Sequence, residues 1–143
     1  MIYPMGKRKK GDYSLSWRDI KIDQIDYVEK CVGEFEITAL RFFKKVYEWD
    51  TIHYGAFKVK VYQNQNIQLR PYESTEFTGV TNLRLKDSMG LGGYEGGIGF
   101  GDTVEQALED TVRNFFGNVM ERKAMKKMGL CKEDFVLIDY DEF

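Results

Sequence analysis

The sequence predicts an α+β domain, an antiparallel β-sheet meander with one long C-terminal helix packed across it. Three observations carry this. The stretch "AFKVKVYQ" alternates Phe57, Val59 and Val61 with Lys58, Lys60 and Tyr62, the period of a strand with one face in the core. "FTGVTNLRLKD" repeats the pattern, with Leu83 and Leu85 on one face and Asn82 and Arg84 on the other. Beyond Asp102 the period becomes helical. Val104, Leu108, Thr111, Phe115 and Val119 form one stripe, widened by Ala107, Val112 and Phe116.

The elements follow in order. Residues 1–12, with "KRKK" at Lys7 to Lys10, form a basic N-terminal arm, and residues 13–143 form a single domain. Ile25, Val28 and Val32 fall at helical spacing, so Asp23 is placed to cap a short helix ending at Gly33. Glu34 to Thr51 fits both a helix, through Phe35, Ala39, Phe42, Phe43 and Val46, and a strand. Its β-formers favour a strand from about Glu36 to Trp49. After "AFKVKVYQ", a turn at Gln63–Asn66 leads to a second strand through Ile67 and Leu69, ended by Pro71. Asp87 to Gly90 is a turn, and "YEGGIGF" returns as a short strand. Asp102 or Thr103 caps the long helix, with Glu105 and Gln106 at capping-box spacing. Arg122, Lys123, Lys126 and Lys127 crowd its last turns, and Gly129 is the expected left-handed stop. Phe135 to Ile138 adds a last strand or docks on the core.

Composition narrows the function classes. At 143 residues, 43% apolar and 31% charged, the chain is one globular domain. A net charge of −2 does not suit a domain that is basic as a whole, so only a local patch such as Lys7 to Lys10 would meet nucleic acid. No apolar run reaches membrane-spanning length and the N-terminus has no apolar leader core, so an intracellular, cytoplasmic, soluble protein is expected. Cys31 and Cys131 form neither a C-x-x-C pair nor a metal spacing and read as buried, reduced thiols. His53, the one histidine, reads as a turn residue. With a single imidazole, Ser14, Ser16, Ser74 and Ser88 lack a triad. Asp134, Asp139, Asp141 and Glu142 read as a solvated acidic tail rather than a metal site. No catalytic set, metal or cofactor is expected.

Binding fits better. "GGIGFGDT" runs into a helix N-terminus, where free amides and the helix dipole suit a phosphate. The competing reading is that these glycines serve bulges and a tight strand-to-helix turn. On the binding reading, Gly99, Gly101 and Thr103 offer the amides. Phe77, Tyr94 and Phe100 offer rings that stack on a base, and Arg84 and Arg113 offer guanidinium groups. Arg41 and Arg70 are the remaining arginines considered as phosphate partners. Asn82 shares the polar face of its strand with Arg84, and Arg113 has Glu109 four residues back as an alternative partner. Aromatics reach 15%, more than one small sheet and helix readily hide, so a homo-oligomer is expected.

The segment "TGVTNLRLKDSMGLGGYEGGIGFGDTVEQALEDTVRNFF", with its "G-x-T-x-E-x-A-L" helix opening, resembles the first family of phage Thoeris anti-defence proteins. These small proteins sequester the cyclic ADP-ribose-type signal of bacterial Thoeris immunity. The resemblance covers Thr78 to Phe116. It implies a non-enzymatic oligomer whose pockets are built of aromatic rings and arginines, often shared between chains, acting in the host cytoplasm on a small phosphorylated nucleotide. An inhibitor that binds a host defence protein, for instance a CRISPR nuclease, and a small nucleic-acid-binding protein using Lys7 to Lys10 are the alternatives.

Overall fold

A computed structural model describes residues 16–65, 75–87 and 93–143. The order is β1 (Glu29–Thr38), α1 (Leu40–Tyr47), β2 (Ala56–Asn64), β3 (Phe77–Lys86), β4 (Tyr94–Gly101), α2 (Val104–Ala124) and β5 (Phe135–Leu137). The strands form one antiparallel sheet in the order β1-β2-β3-β4. β5 pairs with the second half of β3, where β2 has already left it. The fold is the expected α+β meander, with the long helix packed against the sheet. The basic arm, the strand through Ile67 and Leu69, Arg70 and the 88–90 end of the turn lie outside the described residues.

The period-2 readings give the core. Phe57, Val59 and Val61 of β2 and Leu83 and Leu85 of β3 turn to the helices and are buried. Ala107, Thr111, Phe115 and Val119 of α2 close over them, one helical turn apart. Thr103 is the N-cap. Its Oγ1 accepts the Gln106 N–H at 3.1 Å, and the Gln106 side chain accepts the Asp102 N–H at 2.9 Å. Part of the aromatic excess goes inside. Phe43, Tyr47, Phe57, Phe115 and Phe135 are buried, and Phe42 stacks on Phe116 with centroids 3.9 Å apart.

Several expectations are corrected. Residues 40–47 are helix, not strand: Phe43, Val46 and Tyr47 recur at helical spacing and bury one face, which outweighs their β propensity. The strand lies upstream, where Phe35 and Ile37 alternate inward against exposed Glu34 and Glu36. The helix expected at Asp23–Val32 is absent. A 3-10 turn at Trp17–Asp19 is followed by irregular chain and then β1. Helix α2 stops at Ala124, before Gly129. Gly129 does have positive φ (78°), and it makes the turn that docks on α1, where Leu130 N–H donates to Val46 O at 2.9 Å. The cysteines are free, but Cys31 is exposed and Cys131 half-buried.

Candidate functional site on the outer strands

The glycine-rich strand has a packing cause. A Cβ on Gly97 would lie 2.5 Å from Phe115 Cβ, one on Gly99 2.2 Å from Thr111 N, and one on Gly101 2.4 Å from Ala107 N. Alternate glycines of β4 thus let the backbone of α2 lie directly on the strand. The close approach that these glycines allow is made by the protein's own helix.

The amides are committed too. Gly97 N–H donates to Thr81 Oγ1 at 2.8 Å, Phe100 N–H to an Asp110 carboxylate oxygen at 2.9 Å, and Asp102 N–H to Gln106. Gly99 and Gly101 pair in register with Gly79 and Phe77 on β3. The expected phosphate cradle therefore has at least three of its donors already satisfied.

A ladder along α2 was not anticipated. Asp110, Asn114 and Asn118 stand one helical turn apart beside the outer edge of β4. Asp110 accepts from Phe100 N–H, Asn114 Nδ2 donates to Ile98 O at 2.7 Å, and Asn118 Nδ2 donates to Gly96 O at 3.5 Å. The helix thus supplies hydrogen-bond partners on the side where, among the described residues, β4 has no neighbouring strand. The i, i+4, i+8 run of Asp/Asn was the available sequence signal.

The candidate site residues fall into two groups. At one end, register pairs Arg84 with Gly96 and Lys86 with Tyr94, on the sheet face opposite α2. Arg84 lies across Gly96: a Cβ there would be 2.9 Å from Arg84 Cγ. Its Nε donates to Thr81 O at 3.3 Å. Tyr94 is 55% exposed. At the other end, Phe100 and Arg113 line a shallow groove of about 320 Å³ with Gln106, Glu109 and Asp110, and Arg113 is ion-paired to Glu109. Tyr94 and Phe100, six residues apart on one strand, are roughly 20 Å apart and do not flank one small ligand. Asn82 is structural. Its Oδ1 accepts the Lys58 N–H at 2.7 Å and its carbonyl accepts the Ile138 N–H at 2.8 Å. Phe77 packs against the core, and Thr103 is spent as the cap.

The same sheet face carries a buried charge on β2, on the side that alternates with Phe57, Val59 and Val61. Lys60 is only 8% exposed. Its ammonium donates to Tyr140 O at 2.6 Å and Phe143 O at 3.3 Å, and lies 3.9 Å from the centre of the Tyr140 ring and 4.4 Å from that of Phe143. Tyr62 OH donates to Phe143 O at 2.7 Å, and burial pushes its phenol pKa up. The segment after β5 is thereby folded back over β2. Among the described residues, no three His, Cys, Asp or Glu side chains are grouped to hold a metal ion, and His53 pairs with Asp50 at 3.1 Å on the surface. No helix among them is long and apolar enough to cross a membrane.

Comparison with known proteins gives no relative from which to read the site: no family model, no curated protein and no solved structure matches the chain.

Proposed function

We propose that this is a non-enzymatic binding protein that captures a small phosphorylated nucleotide at the Arg84–Tyr94 end of the outer strands. The ligand class is the cyclic ADP-ribose type that the anti-defence resemblance implies, and the place of action is the host cytoplasm. One observation carries the reading. The glycine at position 96 leaves room for Arg84 to lie flat across β4, beside the exposed ring of Tyr94 and with Lys86 as its neighbour. A ring for the base and two cations for phosphates are the groups such a ligand needs. The Tyr94 ring is exposed among the described residues, which suits completion of the site by a second copy.

Isothermal titration with cyclic ADP-ribose isomers and cyclic dinucleotides tests this. Binding is expected, with the ligand released intact on heating. Arg84→Ala and Tyr94→Ala should each weaken it about ten-fold or more, a ring or a guanidinium being worth about 1–3 kcal/mol. Phe100→Ala and Arg113→Ala should leave it largely unchanged. Absence of any nucleotide binding, together with specific capture of a host defence protein, would replace this reading with the inhibitor one. Altered ligand after incubation would replace it with an enzyme.

A further inference from the structure

We propose that the groove between the end of α1 and the turn after α2 is a self-association surface that receives residues 137–143 of a second copy. The groove, about 580 Å³, is lined by Trp49, Asp50, Lys126, Lys127, Met128 and Leu130 among others. Trp49, Met125 and Met128 are the most exposed large apolar side chains among the described residues, at 77%, 71% and 70%. An indole left that far in water is unusual for a chain with a well-filled core. The backbone holds it there. Glu48, immediately before Trp49, has φ 55° and ψ −85°, a conformation that costs a non-glycine residue energy and is kept where the surroundings impose it. Those surroundings are the Gly129 turn, against Val46 O and Tyr47 O, and the Lys123–Glu48 ion pair at 3.4 Å.

The charged residues lining the groove are Lys126, Lys127 and Asp50, which pairs with His53, and further basic residues flank it in sequence. The run from Arg122 to Lys132 holds five basic side chains and no acidic one, in a chain whose net charge is −2. Lys123 and Lys126 are paired, to Glu48 and Asp134, but Lys127 and Lys132 have no ion pair among the described residues. The complement is on the same chain. Asp139, Asp141 and Glu142 are exposed and likewise without ion pairs among those residues, and they alternate with two exposed apolar side chains, Leu137 (50%) and Tyr140 (56%). A chain does not fill its own groove with this segment, because Lys60 and Tyr62 pin Tyr140 and Phe143 to β2. The match is therefore made between copies. It joins two different patches, so it is a head-to-tail contact that builds rings or open chains rather than a two-fold dimer.

The test uses two variants and their mixture, followed by sedimentation velocity from micromolar to submillimolar concentration. The wild type should associate, and less so as salt rises. Lys127→Glu with Lys132→Glu reverses the unpaired basic charge in the groove and beside it, and leaves the acidic segment untouched. Asp139→Lys with Asp141→Lys damages only the acidic segment. Each variant alone should associate at least about ten-fold more weakly. An equimolar mixture offers four pairings: each variant with itself joins like charges, whereas the intact groove of the segment variant meets the intact segment of the groove variant, and the reversed groove meets the reversed segment, both with opposite charges. Those two cross-contacts should form in the mixture and in neither variant alone. Unchanged melting temperatures confirm that both variants fold. A wild type that stays monomeric throughout, variants that associate like the wild type, or a mixture that stays monomeric each overturn the proposal. Retention on phosphatidylserine vesicles, lost in the groove variant and with no self-association, would assign the patch to an anionic membrane instead. None of these residues belongs to the Arg84–Tyr94 site, so the two readings fail separately.

Discussion

Gly79 and Gly99 face each other across β3 and β4, and Thr111 of α2 lies over both. A Cβ on Gly79 would meet Thr111 Oγ1 at 2.2 Å, and one on Gly99 would meet Thr111 N at the same distance. The helix rests on a two-glycine platform, and side chains there would lift it off the sheet.

Gly99→Ala should therefore cost about 2–3 kcal/mol, the upper range for forcing atoms into a packed site. The opposite sign is expected at Gly117, in the middle of α2, where a Cβ meets nothing within 4 Å. Gly117→Ala should stabilise by about 0.5–1 kcal/mol, because alanine loses less backbone entropy on entering a helix. Urea unfolding of both variants measures this. A Gly99→Ala protein as stable as wild type would remove the platform argument.

This pair marks what the sequence made legible. Regular alternation in β2 and β3 and the helical stripe of α2 placed the sheet, the long helix and most of the core, because burial there follows the period. A run of glycines carries no such sign. It permits close approach, but the sequence does not say whether a ligand or a helix approaches, and here α2 does. Residues 40–47 failed for a related reason: eight residues rich in Phe, Val and Tyr fit either period, and tertiary packing on Phe57 and Phe116 decides. The burial of Lys60 was not legible because the segment that covers it, Tyr140 to Phe143, is far away in sequence.

The Asp110–Asn114–Asn118 ladder should protect the edge of β4. Asn114→Ala leaves the Ile98 carbonyl without its side-chain partner and should cost about 1 kcal/mol. The larger expected effect is on solubility, since an unblocked edge pairs with other chains. Asp110→Ala with Asn114→Ala should aggregate at concentrations where the wild type stays clear. Light scattering at matched fractions folded would show it, and equal scattering would mean the edge is guarded by something else.

Lys60→Met should keep the aliphatic packing under Tyr140 and Phe143 while removing the donor that holds their main-chain oxygens. Loss of hydrogen bonds to a charged donor costs about 1.5–3 kcal/mol. The segment after β5 should become the first site of limited proteolysis. A cleavage pattern identical to wild type would show that the rings, not the ammonium, hold the segment down.

Asp134 links the turn after α2 to the start of β5, and it sets an acid limit on stability. Burial pushes its carboxyl pKa up. That is outweighed by the Lys126 ammonium, 2.7 and 2.8 Å from its two oxygens, and by the Cys131 N–H at 2.8 Å, so the folded pKa lies below the usual carboxylate value. The unfolded chain, with a pKa of about 3.9, then takes up the proton first as pH falls. The stabilisation is fully present above that value and is lost as pH drops through the folded pKa. Asp134→Asn removes the charge at every pH. The variant should be less stable than wild type at neutral pH, and the gap should close progressively below about pH 4. Lys126→Met should raise the Asp134 pKa and shrink the same gap, which a carbon-detected carboxyl titration reads directly. Stability curves for wild type and Asp134→Asn that run parallel from neutral to acid pH would show that the carboxylate is not held in its charged form by these partners.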